Sequence, residues 1–135
     1  MSINLKPDAI KAAQNAYSPY SHLKVGAALL SNNGNIYLGC NVENASFPIG
    51  NCAERAALAA AVLAEGKDFE LKAIAVVAFT ENGVALPITP CGACRQALIE
   101  FGKDAEVGFL NSDNEWMTVV AKDLLPHRFE FPALD

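Results

Sequence analysis

The run KAIAVVAF, Lys72 to Phe79, restricts the fold more than any other stretch of this chain. Only its first residue is charged, and Ile74, Val76 and Val77 favour extended backbone. A strand without polar alternation must be covered on both faces, which calls for a sheet between helical layers. The flanking patterns agree. Upstream, VGAALLS and NIYLGCNVE are joined by Asn32-Asn33-Gly34, the turn chemistry of a β-hairpin. Downstream, AEVGFLN and WMTVVA read as two further strands around SDN.

Helical patterns separate these strands. Pro7 followed by Asp8 opens a first helix, with Ile10, Ala13, Ala16 and Tyr17 at helical spacing, and SPYSH (Ser18 to His22) ends it. The loop NASFPIGN leads into an alanine-rich helix from about Cys52 to Glu65. CRQALIEF makes a third helix, and a short helical turn is expected near Asp123 to Leu125. The 135 residues carry no linker or internal repeat. The expectation is one α/β domain over residues 1–135, a three-layer fold with about five strands in a mixed sheet and helices on both faces.

Two short motifs begin helices: Cys52-Ala53-Glu54 and Pro90-Cys91-Gly92-Ala93-Cys94. CGAC alone also looks like a thiol redox pair at a helix N-terminus, where backbone N–H groups lower a thiol's pKa. That reading leaves Cys52 and Glu54 unexplained. Cys91 and Cys94 share a helical turn and can chelate one ion, with Cys52 as a third sulfur if the two N-termini meet. Cys40 lies inside a strand pattern, and His22 and His127 have no ligand-like spacing. Three protein ligands leave a fourth position for water, the mark of a catalytic zinc site, whereas a structural zinc module would need a fourth ligand such as Cys40.

Glu54 points about 200° around the helix from Cys52 under ideal spacing, so it is poorly placed as a ligand. It is near enough to take a proton from a water whose pKa the metal lowers. Three thiolates on Zn2+ carry a formal −1 and need positive charge or donors beside them. Arg55 is the first candidate for that task and Gln96 the second.

Composition narrows the partners. The net charge of −5 opposes a nucleic-acid footprint, which demands clustered Lys and Arg. The longest apolar run, Ala56 to Ala64, is about half of a bilayer span, and the start MSINLKPDAI lacks a signal pattern. The expectation is a cytoplasmic protein without membrane partners, whose four cysteines are reduced. Hydrophobic residues at 52% suggest subunit interfaces.

Taken in order, YSPYS, VGAALL, GCNVENASF, CAER, PCGACRQ and the late LLPHRF resemble the small zinc-dependent cytidine deaminase family. The resemblance covers most of the chain from Tyr17 to Phe101. It implies hydrolytic deamination of free cytidine and deoxycytidine in pyrimidine salvage, with zinc on Cys52, Cys91 and Cys94 and Glu54 as proton carrier. It also implies ribose binding by Asn41 and Glu43, base contacts from the backbone near Ala45 and Ala53, and a homotetramer with shared active sites. Leu23 stands where the family usually has Phe, and Leu cannot stack on a base. Either the pocket is looser there, or Phe129 or Phe47 supplies more of the contact. A blasticidin-type deaminase of a modified or N4-substituted cytidine would share the same site.

Overall fold

The computed structural model describes residues 4–133. Helix α1 (Lys6–Ala13) precedes β1 (Leu23–Ser31) and β2 (Ile36–Cys40), and α2 (Ala53–Glu65) leads to β3 (Leu71–Thr80). A two-residue β4 (Ala85–Leu86), α3 (Gly92–Phe101), β5 (Glu106–Leu110) and β6 (Trp116–Val120) complete the order. The sheet runs β2-β1-β3-β5-β6, antiparallel throughout except for the parallel pair β3–β5.

The apolar run Lys72 to Phe79 falls in β3, at the middle of the sheet. Its residues alternate between two cores. Ile74 and Val76 join Ala27, Leu29, Val107 and the inner faces of α2 and α3. Ala75 and Val77 join Ala28, Leu30 and the α1 residues Ala9 and Ala13. Both faces are therefore covered, as the absence of polar alternation requires. Two glycines set the helix distances. A Cβ on Gly26 would run into the Ala9 carbonyl oxygen of α1, and one on Gly39 into the Ala53 carbonyl oxygen and Ala57 nitrogen of α2. The start of α2 thus lies flat on β2 because residue 39 has no side chain.

Two sequence expectations are corrected and one is extended. The sheet has a sixth strand beyond the five expected: the two-residue β4 pairs with β3 at Ala78↔Leu86 and Phe79↔Ala85. β1 pairs along the whole length of β3, so β4 takes the opposite edge beyond the stretch held by β5. Helix α1 stops at Ala13, short of Ala16 and Tyr17, because the chain must turn to form a parallel bridge between Tyr17 and Val42. The final turn is a 3₁₀ segment at Ala121–Leu124, slightly earlier than expected.

Candidate metal centre

Helices α2 and α3 pack on the same face of the sheet, and each starts with a cysteine. Cys52 caps α2 in extended backbone (φ −77°, ψ 153°), and Cys91 caps α3 likewise (φ −67°, ψ 168°). Because α3 crosses between the parallel strands β3 and β5, its N-terminus lies beyond the carboxyl end of β3. That end of an open α/β sheet is where ligands bind. The connection into α3 is held firmly. Pro90 is fully buried, and Arg95 donates from Nε to its carbonyl at 2.7 Å and from Nη1 to the Leu124 carbonyl at 2.9 Å.

The sulfurs of Cys52, Cys91 and Cys94 lie within 4.8 Å of one another. Zn–S bonds of about 2.3 Å around a tetrahedral ion set its sulfurs roughly 3.8 Å apart, so the group fits one zinc. Among the described residues no His, Asp, Glu or fourth Cys joins the cluster, and Cys40 stays apart on β2. A closed four-ligand module is not formed, and CGAC does not stand alone as a redox pair.

Charge supports the same assignment. Arg55 Nη2 donates to the Cys52 sulfur at 3.4 Å, and its buried Nε has no protein partner. A partly buried guanidinium needs anionic neighbours, which thiolates on a divalent ion supply. The Cys52 thiol is drawn well below its ordinary value, first by the hydrogen bond from Cys94 and then by Arg55. The Cys94 thiol, fully buried, is pushed up by the same bond and by burial.

Glu54 is only 4% exposed. Burial pushes its carboxyl above the usual range, and the nearby Cys52 charge adds to this. A desolvated carboxyl with a raised pKa, beside the three sulfurs, suits proton transfer to and from a bound water.

Above this floor opens a cleft of about 440 Å³. Leu23, Asn41, Glu43 and Ala53 line it together with Cys52, Glu54 and Cys91. Ala45 and Phe129 do not, and Phe129 is 68% exposed. Gln96 is also placed elsewhere than beside the sulfurs. Its amide exchanges two hydrogen bonds with the Phe129 backbone, at 2.9 and 3.1 Å, which leaves it no reach toward the cluster. Phe47 does line the cleft, with its ring 5.6 Å from that of Tyr20. Val25, Ile88 and Thr89 are lining residues that the sequence reading missed. Thr89 had a signal, since it stands two places before Cys91, whereas Val25 and Ile88 look like ordinary apolar positions.

A family model for the cytidine and deoxycytidylate deaminase zinc-binding region matches residues 3–110. The chain is 48% identical over 122 residues to a cytidine deaminase of Sporosarcina psychrophila, covering 88% of this chain and 84% of that protein. It is 44% identical over 123 residues to one from Halalkalibacterium halodurans, covering 90% and 89% respectively. Its structure is similar to the crystal structure of cytidine deaminase from Burkholderia pseudomallei, with a TM-score of 0.83 and 48% identity, covering 96% of this chain and 100% of that one.

Proposed function

This chain belongs to the cytidine and deoxycytidylate deaminase family, and from that premise we propose that Cys52, Cys91, Cys94 and Glu54 carry out its zinc-dependent deamination of cytidine. One observation carries the assignment: three sulfurs within 4.8 Å converge beside a buried carboxyl at the floor of a cleft. Zinc, when held by the three thiolates, supplies Lewis-acid activation of the attacking water.

The chain's own residues do the rest. As the water oxygen bonds to C4, Glu54 takes one of its protons on a carboxylate oxygen and delivers it to ring N3, then carries the remaining hydroxyl proton to the exocyclic nitrogen. The C4–N bond breaks, ammonia leaves, and the ring retains oxygen at C4 as uridine or deoxyuridine. Arg55 offsets the sulfur charge so that the centre stays electrophilic. Asn41 and Glu43 hold the sugar, Ala53 presents backbone to the base, and Leu23 with Phe47 forms an apolar wall. Ala45 belongs to the same recognition loop, although it lies outside the cleft of one chain. Phe129 and Gln96, paired with each other, are assigned no contact with substrate from their own chain.

The assembly proposed is a homotetramer whose subunits complete one another's sites. Phe47 at 73% exposure and Ile49 at 67% stand beside the cleft, and such apolar surface calls for a covering partner. One domain over residues 1–135 is supported by a single sheet that supplies both cores. No helix among the described residues is long and apolar enough to cross a membrane. A cytoplasmic location suits thiols that must stay reduced to hold metal. The acidic net charge of −5 favours a free nucleoside in pyrimidine salvage over a nucleic-acid polymer.

The test is an ultraviolet assay of cytidine conversion with zinc quantified in the same sample. About one zinc per chain and ammonia release are expected. Glu54→Gln should keep the metal and lose about 10²- to 10⁴-fold in turnover. A folded, metal-loaded wild-type protein that leaves cytidine untouched would overturn the reading.

A further inference from the structure

We propose that Ser21 is a positioning residue for sugar recognition, tying the Glu43 carboxylate and the Leu23 backbone into one unit. The inference rests on the reading of Glu43 as a sugar ligand. Its observation is a tight local network. Glu43 Oε1 accepts from the backbone N–H groups of Tyr20 and Ser21, both at 3.0 Å. Glu43 Oε2 accepts from the Ser21 hydroxyl in a short contact. The same hydroxyl accepts from the Leu23 N–H at 3.1 Å. One oxygen atom therefore joins two lining residues of the cleft that lie on separate segments of chain.

The acceptor count sharpens this. An ionised carboxylate offers about four lone-pair positions. Three are taken by the protein, so one remains, and it belongs to Oε2. Glu43 is thus built to take one further donor, such as a single sugar hydroxyl, from one direction. The Ser21 hydroxyl also holds the carboxyl ionised, and the two backbone donors add to that. Without Ser21, Oε2 would have two free positions and the carboxylate could rotate about the backbone donors. Leu23 would stay held by the Asn41 Nδ2 bond to its carbonyl at 2.9 Å and by its pairing with Thr80. The turn is also held by the His22 N–H, which donates to the Ser18 carbonyl at 2.9 Å, and by His22 Nδ1 with Glu81 Oε1 at 2.9 Å, so it need not collapse when one hydroxyl is removed.

The experiment compares cytidine with 2′,3′-dideoxycytidine on the zinc-loaded wild type and on Ser21→Ala, Ser21→Thr and Glu43→Gln. Ser21→Ala should raise KM for cytidine on the order of tenfold with little change in kcat, the size expected for one charge-assisted hydrogen bond. It should leave the dideoxy substrate almost unaffected, and Ser21→Thr, which keeps the hydroxyl, should restore most of the loss. Equal losses on both substrates, or no rescue by Thr, would reduce Ser21 to a fold contact and overturn the proposal. So would an unchanged Ser21→Ala alongside a Glu43→Gln that loses selectively on cytidine. A Glu43→Gln that loses equally on both substrates would instead overturn the sugar role of Glu43, and the proposal with it.

Discussion

Arg55 Nη2 and the Cys52 sulfur are 3.4 Å apart, three residues and one turn from each other at the start of α2. Cys52 caps the helix and Arg55 lies in its first turn, so the side chain can fold back over its own helix end. The pair makes a chemical compromise visible: three anionic ligands grip a cation well but weaken it as a Lewis acid.

The first prediction concerns that pair. Arg55→Gln removes the charge and draws the donor back from the Cys52 sulfur. Zinc affinity, measured by competition with a chromogenic chelator, should fall about 10- to 100-fold, as for other partners of metal ligands. Activity at saturating zinc should fall as well, because the sulfur charge is no longer offset. Unchanged affinity and activity would make Arg55 a bystander.

Gly39 gives a second prediction. It sits on β2 under the first turns of α2, where a Cβ would meet the Ala53 carbonyl oxygen and the Ala57 nitrogen. Both obstacles are backbone, so the helix itself has to move. Gly39→Ala should destabilise by about 1–3 kcal/mol, the usual scale for overpacking. Because the displaced turn carries Cys52 and Glu54, kcat/KM should also drop, by up to about 10²-fold for a shift near 1 Å. Calorimetry at fixed protein concentration together with the cytidine assay checks both, and a normal melting temperature would refute the packing argument.

The legible part of this protein was its local chemistry. Lys72 to Phe79 announced a strand covered on two faces, and Cys52, Cys91 and Cys94 announced a shared ion because each sits at a helix start. Less legible were features set by distant segments. β4 is two residues long and exists only because the free edge of β3 is there to pair with it. Gln96 looked like a donor to the thiolates from its place after Cys94, yet the returning C-terminal segment captures its amide through Phe129. Val25 and Ile88 reach the cleft from β1 and from the connection after β4, and no short-range spacing records that meeting.

The third prediction comes from Glu65, the last residue of α2. An acid there opposes the helix dipole, so its presence needs a compensating interaction. Glu65 Oε1 accepts from Asn33 Nδ2 at 2.9 Å, and Oε2 accepts from Asn35 Nδ2 at 3.0 Å and from the Tyr37 hydroxyl at 2.8 Å. The far end of the helix is thereby tied to the β1–β2 turn. These donors, the Asn35 amide first and the Ser31 hydroxyl next, hold the carboxyl down at about 2 against an ordinary 4.5. A depressed folded-state pKa contributes stability that is fully present above the unfolded value and is lost as pH falls through the folded one. Glu65→Gln should therefore be less stable than wild type at pH 7, and the gap should shrink between pH 4.5 and about 2. Denaturant midpoints of the two proteins, compared at each pH, read this directly, and any zinc lost in acid is lost from both. A gap that stayed constant across that window would mean that shape rather than charge accounts for the tie, and a gap that widened would reverse the assignment.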